Sequence, residues 1–94
     1  MLLFSKRTVT AMRKKTLNEI QNNTTLGTIQ KRLRECIKNS PLQQQEIAKE
    51  IGVSEQTVSK YMNNNIFPAL DTLAKLCVVL DVSADYILGI DDEY

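Results

Sequence analysis

Apolar residues recur along this chain at intervals of three and four, and no stretch shows the strict alternation of a half-buried strand, so the pattern predicts helices throughout. The segment Asn22-Asn23-Thr24-Thr25-Leu26-Gly27 breaks the period and offers Thr24 or Thr25 as an N-cap. From there Ile29, Leu33, Cys36 and Ile37 fall on one face of a helix that ends near Asn39. Ser40, Pro41 and Gln43 then read as the start of a second helix: a cap, a proline in first position and the third-residue partner of a capping box. Ile47, Ala48 and Ile51 are its buried stripe, and Gly52 suits the left-handed residue that stops it. Ser54 caps a third helix over residues 54–63, with Glu55 in the first turn, where the helix dipole favours an acid. Its apolar positions are Val58, Tyr61 and Met62, and the run Asn63-Asn64-Asn65 ends it, because Asn tolerates the left-handed conformation.

Further along, Leu70, Leu73, Ala74, Cys77 and Leu80 recur at three and four, and Leu76, Val78 and Val79 widen the stripe until the fourth helix is expected to be nearly all buried. Ser83 caps a short fifth helix carrying Tyr86, Ile87 and Leu88, which Gly89 stops. The leading stretch Ser5–Asn22 also has a weak helical stripe (Val9, Met12, Ile20, with Leu17 at its edge), against the β-branched run Thr8-Val9-Thr10. The expectation is an all-α fold of five helices preceded by a basic extension, helix or arm. Its divisions are 1–24 for the extension, 25–90 for the helical domain and 91–94 for an acidic, frayed tail.

Composition narrows the chemistry. Ninety-four residues make one small domain, and with no Trp and 5% aromatics its core must be aliphatic. There is no His, and the two cysteines, Cys36 and Cys77, have no nearby ligand partners, so a zinc site and any nucleophile relying on a His base lack their parts. The cysteines read as small buried apolar side chains. No Gly-rich phosphate loop appears. The expectation is therefore a protein that is not an enzyme, with no cofactor, no metal and no small-molecule substrate. No apolar run approaches the roughly 20 residues needed to span a bilayer, and Met1–Phe4 is too short for a signal peptide, so no membrane partner and a cytoplasmic location are expected.

The net charge of +1 hides an asymmetry. Residues 1–38 hold nine basic residues against Glu19 and Glu35, whereas residues 39–94 hold Lys49, Lys60 and Lys75 against nine acids. Such a division suits a surface that meets a polyanion on one side only, although solvated charge that merely aids solubility gives the same count.

The most informative object is the pair of helices joined by Ile51-Gly52-Val53-Ser54. A single glycine-centred corner is too tight for an antiparallel hairpin and sets two helices at about 90–120°, so that one lies across a surface and the other projects. With "LQQQEIAKEIGVSEQTVSKYMNN" followed by "PALDTLAKLCVVLDVSADYILG", the stretch Gly27–Leu88 resembles the lambda-repressor-like, Cro-type (Xre family) helix-turn-helix domain over about two-thirds of the chain. The resemblance implies a five-helix bundle whose third helix enters the major groove, usually as a dimer. It assigns base contacts to Glu55, Gln56 and Lys60. Gln56 suits adenine, Lys60 suits guanine, and Glu55 either accepts from cytosine or discriminates by repulsion. It assigns phosphate contacts to Gln44, Thr57, Ser59, Asn63, Asn64 and Asn65, with Thr57 and Ser59 also placed for thymine methyls.

This sequence departs from the family pattern in four places. Ile37 and Met62 stand where the family commonly pairs an Arg with a Glu, an exchange expected to be neutral or stabilising. Asn64 replaces a glycine in the left-handed position after the third helix. Ala69 replaces a capping Ser or Thr, at a cost of about 1 kcal/mol. Finally, residues 40–66 hold Lys49 and Lys60 against Glu46, Glu50 and Glu55. A unit with a surplus of acid binds phosphates weakly, so either the extension (Lys6, Arg7, Arg13, Lys14, Lys15) and the first helix (Lys31, Arg32, Arg34) supply the missing charge, or DNA is not the main partner. The leading expectation is a sequence-specific, double-stranded DNA-binding transcriptional regulator of a phage-, transposon- or plasmid-type repressor kind, acting as a homodimer. The alternative is a protein-interaction module, such as an antitoxin or anti-repressor, that retains the fold. The extension is equally compatible with a groove-tracking arm, a dimerisation helix and a floppy leader.

Overall fold

The computed structural model describes residues 23–92, and the expected extension helix and the last two residues lie outside them. Among the described residues five helices follow in order: α1 Leu26–Asn39, α2 Gln44–Ile51, α3 Glu55–Asn63, α4 Leu70–Leu80 and α5 Ala84–Ile87. Among the described residues there is no strand, and no helix is long and apolar enough to cross a membrane.

Three of the starts are the ones the hydroxyl residues predict. Thr25 Oγ1 accepts from the Thr28 N–H at 3.2 Å, Ser54 Oγ from Thr57 at 3.1 Å, and Ser83 Oγ from Tyr86 at 3.0 Å. The fourth differs. α2 begins three residues later than the serine and proline suggest, with Gln43 as its cap. The Glu46 carboxylate accepts from the Gln43 N–H at 2.9 Å, and an ionised acceptor near a helix start outweighs a neutral one. Ser40 instead closes α1, extended as a residue before proline must be, and its Oγ takes the Leu42 N–H at 3.1 Å.

The five largest fully buried side chains are Leu33, Ile47, Val58, Leu76 and Ile87, one from each helix. Each contributes roughly 1.5–3 kcal/mol on burial, so no helix can leave without opening the common core. Tyr61, Ile37 and Met62 belong to the same cluster, and the apolar exchange at Ile37 and Met62 is thus a packed one. Tyr61 is core, and its burial, with the Asp71 carboxylate nearby, pushes its phenol pKa up.

Two expectations are corrected. α4 is not buried all round: Leu73, Leu76 and Leu80 face the core, but Leu70 and Val78 are 84% and 81% exposed and Ala74 is exposed as well. Among the described residues, the other helices cover only one side of α4. Nor is the start of the acidic tail frayed. The Arg32 guanidinium, its side chain only 14% exposed, donates to the carbonyls of Tyr86 at 2.7 Å and Asp91 at 2.8 Å and pairs with the Asp92 carboxylate at 3.0 Å. It also lies over the Tyr86 ring, 4.4 Å from the centroid, so α1 holds the chain beyond α5 by several bonds at once. Gly89 serves the same region. Its φ of +82° is left-handed, and the backbone of Asn23 occupies the place a Cβ would take.

Candidate nucleic-acid interface

The corner between α2 and α3 turns on Gly52, whose φ of +79° lets both its own N–H and that of Val53 reach the Ala48 carbonyl, at 2.9 and 3.0 Å. Ile47, Ala48, Ile51 and Val58 are buried behind the turn and Val53 packs against them. This apolar wedge packs α3 against α2.

On α3, Val58, Tyr61 and Met62 face inward. At about 100° per residue, Gln56, Ser59, Lys60 and Asn63 fall together on the opposite side. Glu55, Gln56, Lys60, Asn63, Asn64 and Asn65 are exposed, whereas Ser59, Thr57 and Gln44 are half-buried. Thr57 sits apart from the stripe, its hydroxyl 2.8 Å from that of Ser54 in the cap. Gln44 opens α2, where the first N–H groups of a helix lack partners within it. The exposed stripe therefore offers two amides and an ammonium, groups able to donate to acceptors on base edges and phosphates.

What holds the end of α3 is a pair of α1 side chains. Gln30 is 7% exposed, and its Nε2 donates to the carbonyls of Lys60 at 3.3 Å and Tyr61 at 3.1 Å, while its Oε1 accepts from the Asn65 N–H at 3.2 Å. In a continuing helix the Asn65 N–H would bond to the Tyr61 carbonyl directly. The Gln30 amide sits between those two groups, so it completes the ladder where the chain leaves the helix. Beside it, Arg34 donates to the Met62 carbonyl at 3.0 Å. The left-handed residue after α3 is accordingly Asn65, with φ +55°, and not Asn64, whose φ is −119°. The shift follows from the bond to Gln30, which turns the Asn65 amide back toward α1. A sequence signal for Gln30 exists: it lies three residues before Leu33 and seven before Ile37, a polar residue on an apolar stripe.

The acid surplus of the corner is not made up by the arginines of α1. Arg32 is committed to the C-terminal segment and Arg34 to the end of α3, so α1 leaves Lys31 and Lys38 as its exposed cations. Glu46 stays exposed while it accepts its capping bond, so the corner keeps Lys49 and Lys60 against Glu46, Glu50 and Glu55 on its solvated surface.

Three regulators of Bacillus subtilis (strain 168) are similar to this chain. The uncharacterized HTH-type transcriptional regulator YobD is 37% identical over 62 residues, 66% of this chain and 55% of the relative. The HTH-type transcriptional regulator ImmR is 36% identical over 62 residues, 66% of this chain and 49% of the relative. The SPbeta prophage-derived uncharacterized HTH-type transcriptional regulator YonR is 37% identical over 57 residues, 61% of this chain and 53% of the relative. The chain thus spans about half the length of the curated relatives it matches. No solved structure matches it. The helix-turn-helix family matches residues 33–87, which run from the core of α1 through the corner to the end of α5, and the chain belongs to that family.

Proposed function

We propose that this chain is a sequence-specific, double-stranded DNA-binding transcriptional regulator, a repressor of the phage, transposon or plasmid kind, which reads the major groove with α3 as a homodimer. The observation that carries the reading is the solvent-facing row Gln56, Lys60 and Asn63, with the half-buried Ser59 beside it, on a helix whose other side is core and whose end is clamped by Gln30 and Arg34. A reading helix must keep its side chains in register with base edges, and a rigid seat gives that register. Glu55, Gln56 and Lys60 are the proposed base-contacting residues; Gln44, Thr57, Ser59, Asn63, Asn64 and Asn65 are proposed for phosphate. The regulator names of the three relatives, one of them prophage-derived, support the class.

Selection of bound sites from a random duplex pool tests this. A defined motif is expected, with Gln56→Ala and Lys60→Ala each costing about 1–3 kcal/mol and relaxing preference at one base pair. The acid surplus of the corner favours one competing reading, a protein-interaction module that keeps the fold. Absence of duplex binding at low salt, together with copurification of a stoichiometric protein, is the outcome that selects it.

A further inference from the structure

Leu70, Ala74 and Val78 lie one helical turn apart and form an exposed apolar row about 12 Å long on the side of α4 turned from the core. Leu70 and Val78 are the two most exposed large apolar side chains among the described residues. Along one margin of the row stand the exposed Asp71 and Lys75. A shallow depression beside it is lined by Ala74, Val78, Val79 and Lys75 of α4 and by Glu50 of α2.

The arrangement matches itself when turned over. In an antiparallel pair of α4 helices related by a two-fold axis level with Ala74, Leu70 of one copy meets Val78 of the other, and the small Ala74 side chains meet at the middle. The margin bearing Asp71 and Lys75 then stays on the same side in both copies. Each Asp71 comes opposite the other copy's Lys75, within about 3 Å of the same height along the helix. The parallel arrangement instead sets the charged margin of each copy against the uncharged margin of Leu73 and Cys77. Charge complementarity therefore chooses both the occupant and its direction, since an isologous contact requires one patch to complement itself.

We propose that this face of α4 pairs antiparallel with the same face of a second copy, Leu70 packing on Val78 and Asp71 facing Lys75. This deepens the homodimer of the proposed function by giving its contact surface. Because Leu70, Asp71, Lys75 and Val78 are exposed, changing them leaves the core of each copy intact.

The test is sedimentation of the full chain, free of DNA, over a roughly hundredfold concentration range. A monomer–dimer equilibrium is expected. Val78→Asp should weaken it at least about tenfold, because two charges would enter the apolar row. Asp71→Lys and Lys75→Asp should each weaken it about tenfold, and the double variant Asp71→Lys/Lys75→Asp should recover most of the loss. Circular dichroism of each variant confirms the fold. A monomer at every concentration overturns the proposal, as does a dimer indifferent to Val78→Asp, or single charge reversals that the double variant fails to rescue. Binding of each variant to a duplex bearing one half-site reports on α3 alone, so loss of the dimer and loss of DNA reading are separately visible.

Discussion

The Gln30 amide spans the last gap in the α3 ladder, and replacing it isolates what that bridge is worth. Gln30→Met keeps length and volume but removes every hydrogen-bonding atom. The Lys60 carbonyl keeps a partner, since the Asn64 N–H donates to it at 3.0 Å. Asn65 is exposed, so its freed N–H can turn to water, a net loss of about 1 kcal/mol. The Tyr61 carbonyl bonds to Gln30 in a buried setting, and stripping a buried acceptor costs about 1–3 kcal/mol. The better burial of a thioether offsets part of this, leaving an expected destabilisation of about 2–3 kcal/mol. For a domain of this size that lowers the melting midpoint by roughly 10–20 °C. Thermal unfolding followed by circular dichroism measures it. Amide hydrogen exchange should place the loosening at residues 61–65, ahead of the rest of the chain. Gln30→Glu should be worse, because a carboxylate would point acceptor oxygens at two carbonyls. If Gln30→Met melts within about 2 °C of the parent, or exchange in 61–65 is unchanged, the bridge does not hold α3 and the reasoning fails.

Further substitutions probe the glycines, Arg32 and Cys36. Gly52→Ala and Gly89→Ala share a left-handed backbone but not their surroundings: Gly52 has open space where a Cβ would go, whereas Gly89 has the Asn23 backbone there. Urea titration should find a loss of about 1 kcal/mol at Gly52 and clearly more at Gly89, and equal losses would contradict the packing. Arg32→Ala should destabilise by about 2–3 kcal/mol through the two carbonyl bonds and the ring contact, with little recovery in Arg32→Lys and little dependence on salt. Burial, aided by Glu35 and Cys77, pushes the Cys36 thiol from 9.0 up to about 11 despite Arg32. The folded form therefore favours the neutral thiol. Its contribution is complete below pH 9.0 and disappears as pH rises toward about 11, so stability should fall over that window and Cys36→Ala should flatten the fall.

Much of this molecule is legible in its sequence because the signals are local. Thr25, Ser54 and Ser83 cap where they stand, since a hydroxyl reaches an N–H three residues on without help from elsewhere. Gly52 marks the corner because the left-handed turn there is a demand of its own backbone. The inward faces of α1, α2 and α3 follow from periodicity, and so does the outward row of Gln56, Lys60 and Asn63.

What periodicity does not contain is the number of neighbours around a helix. α4 is apolar nearly all round, but other helices cover only one side of it, so Leu70, Ala74 and Val78 meet solvent. The roles of Gln30, Arg32 and Arg34 depend on partners about 30 to 60 positions away, and a charge in the sequence looks the same whether it faces a phosphate or a buried carbonyl. The sequence by itself determined the helices, the three hydroxyl caps at Thr25, Ser54 and Ser83 and the face that α3 turns outward, because these are set within four residues of chain. Only the tertiary structure decided which cations are spent inside, what ends α3 and which apolar row is left uncovered, because hydrogen bonds and burial between distant segments exist only once the segments are packed.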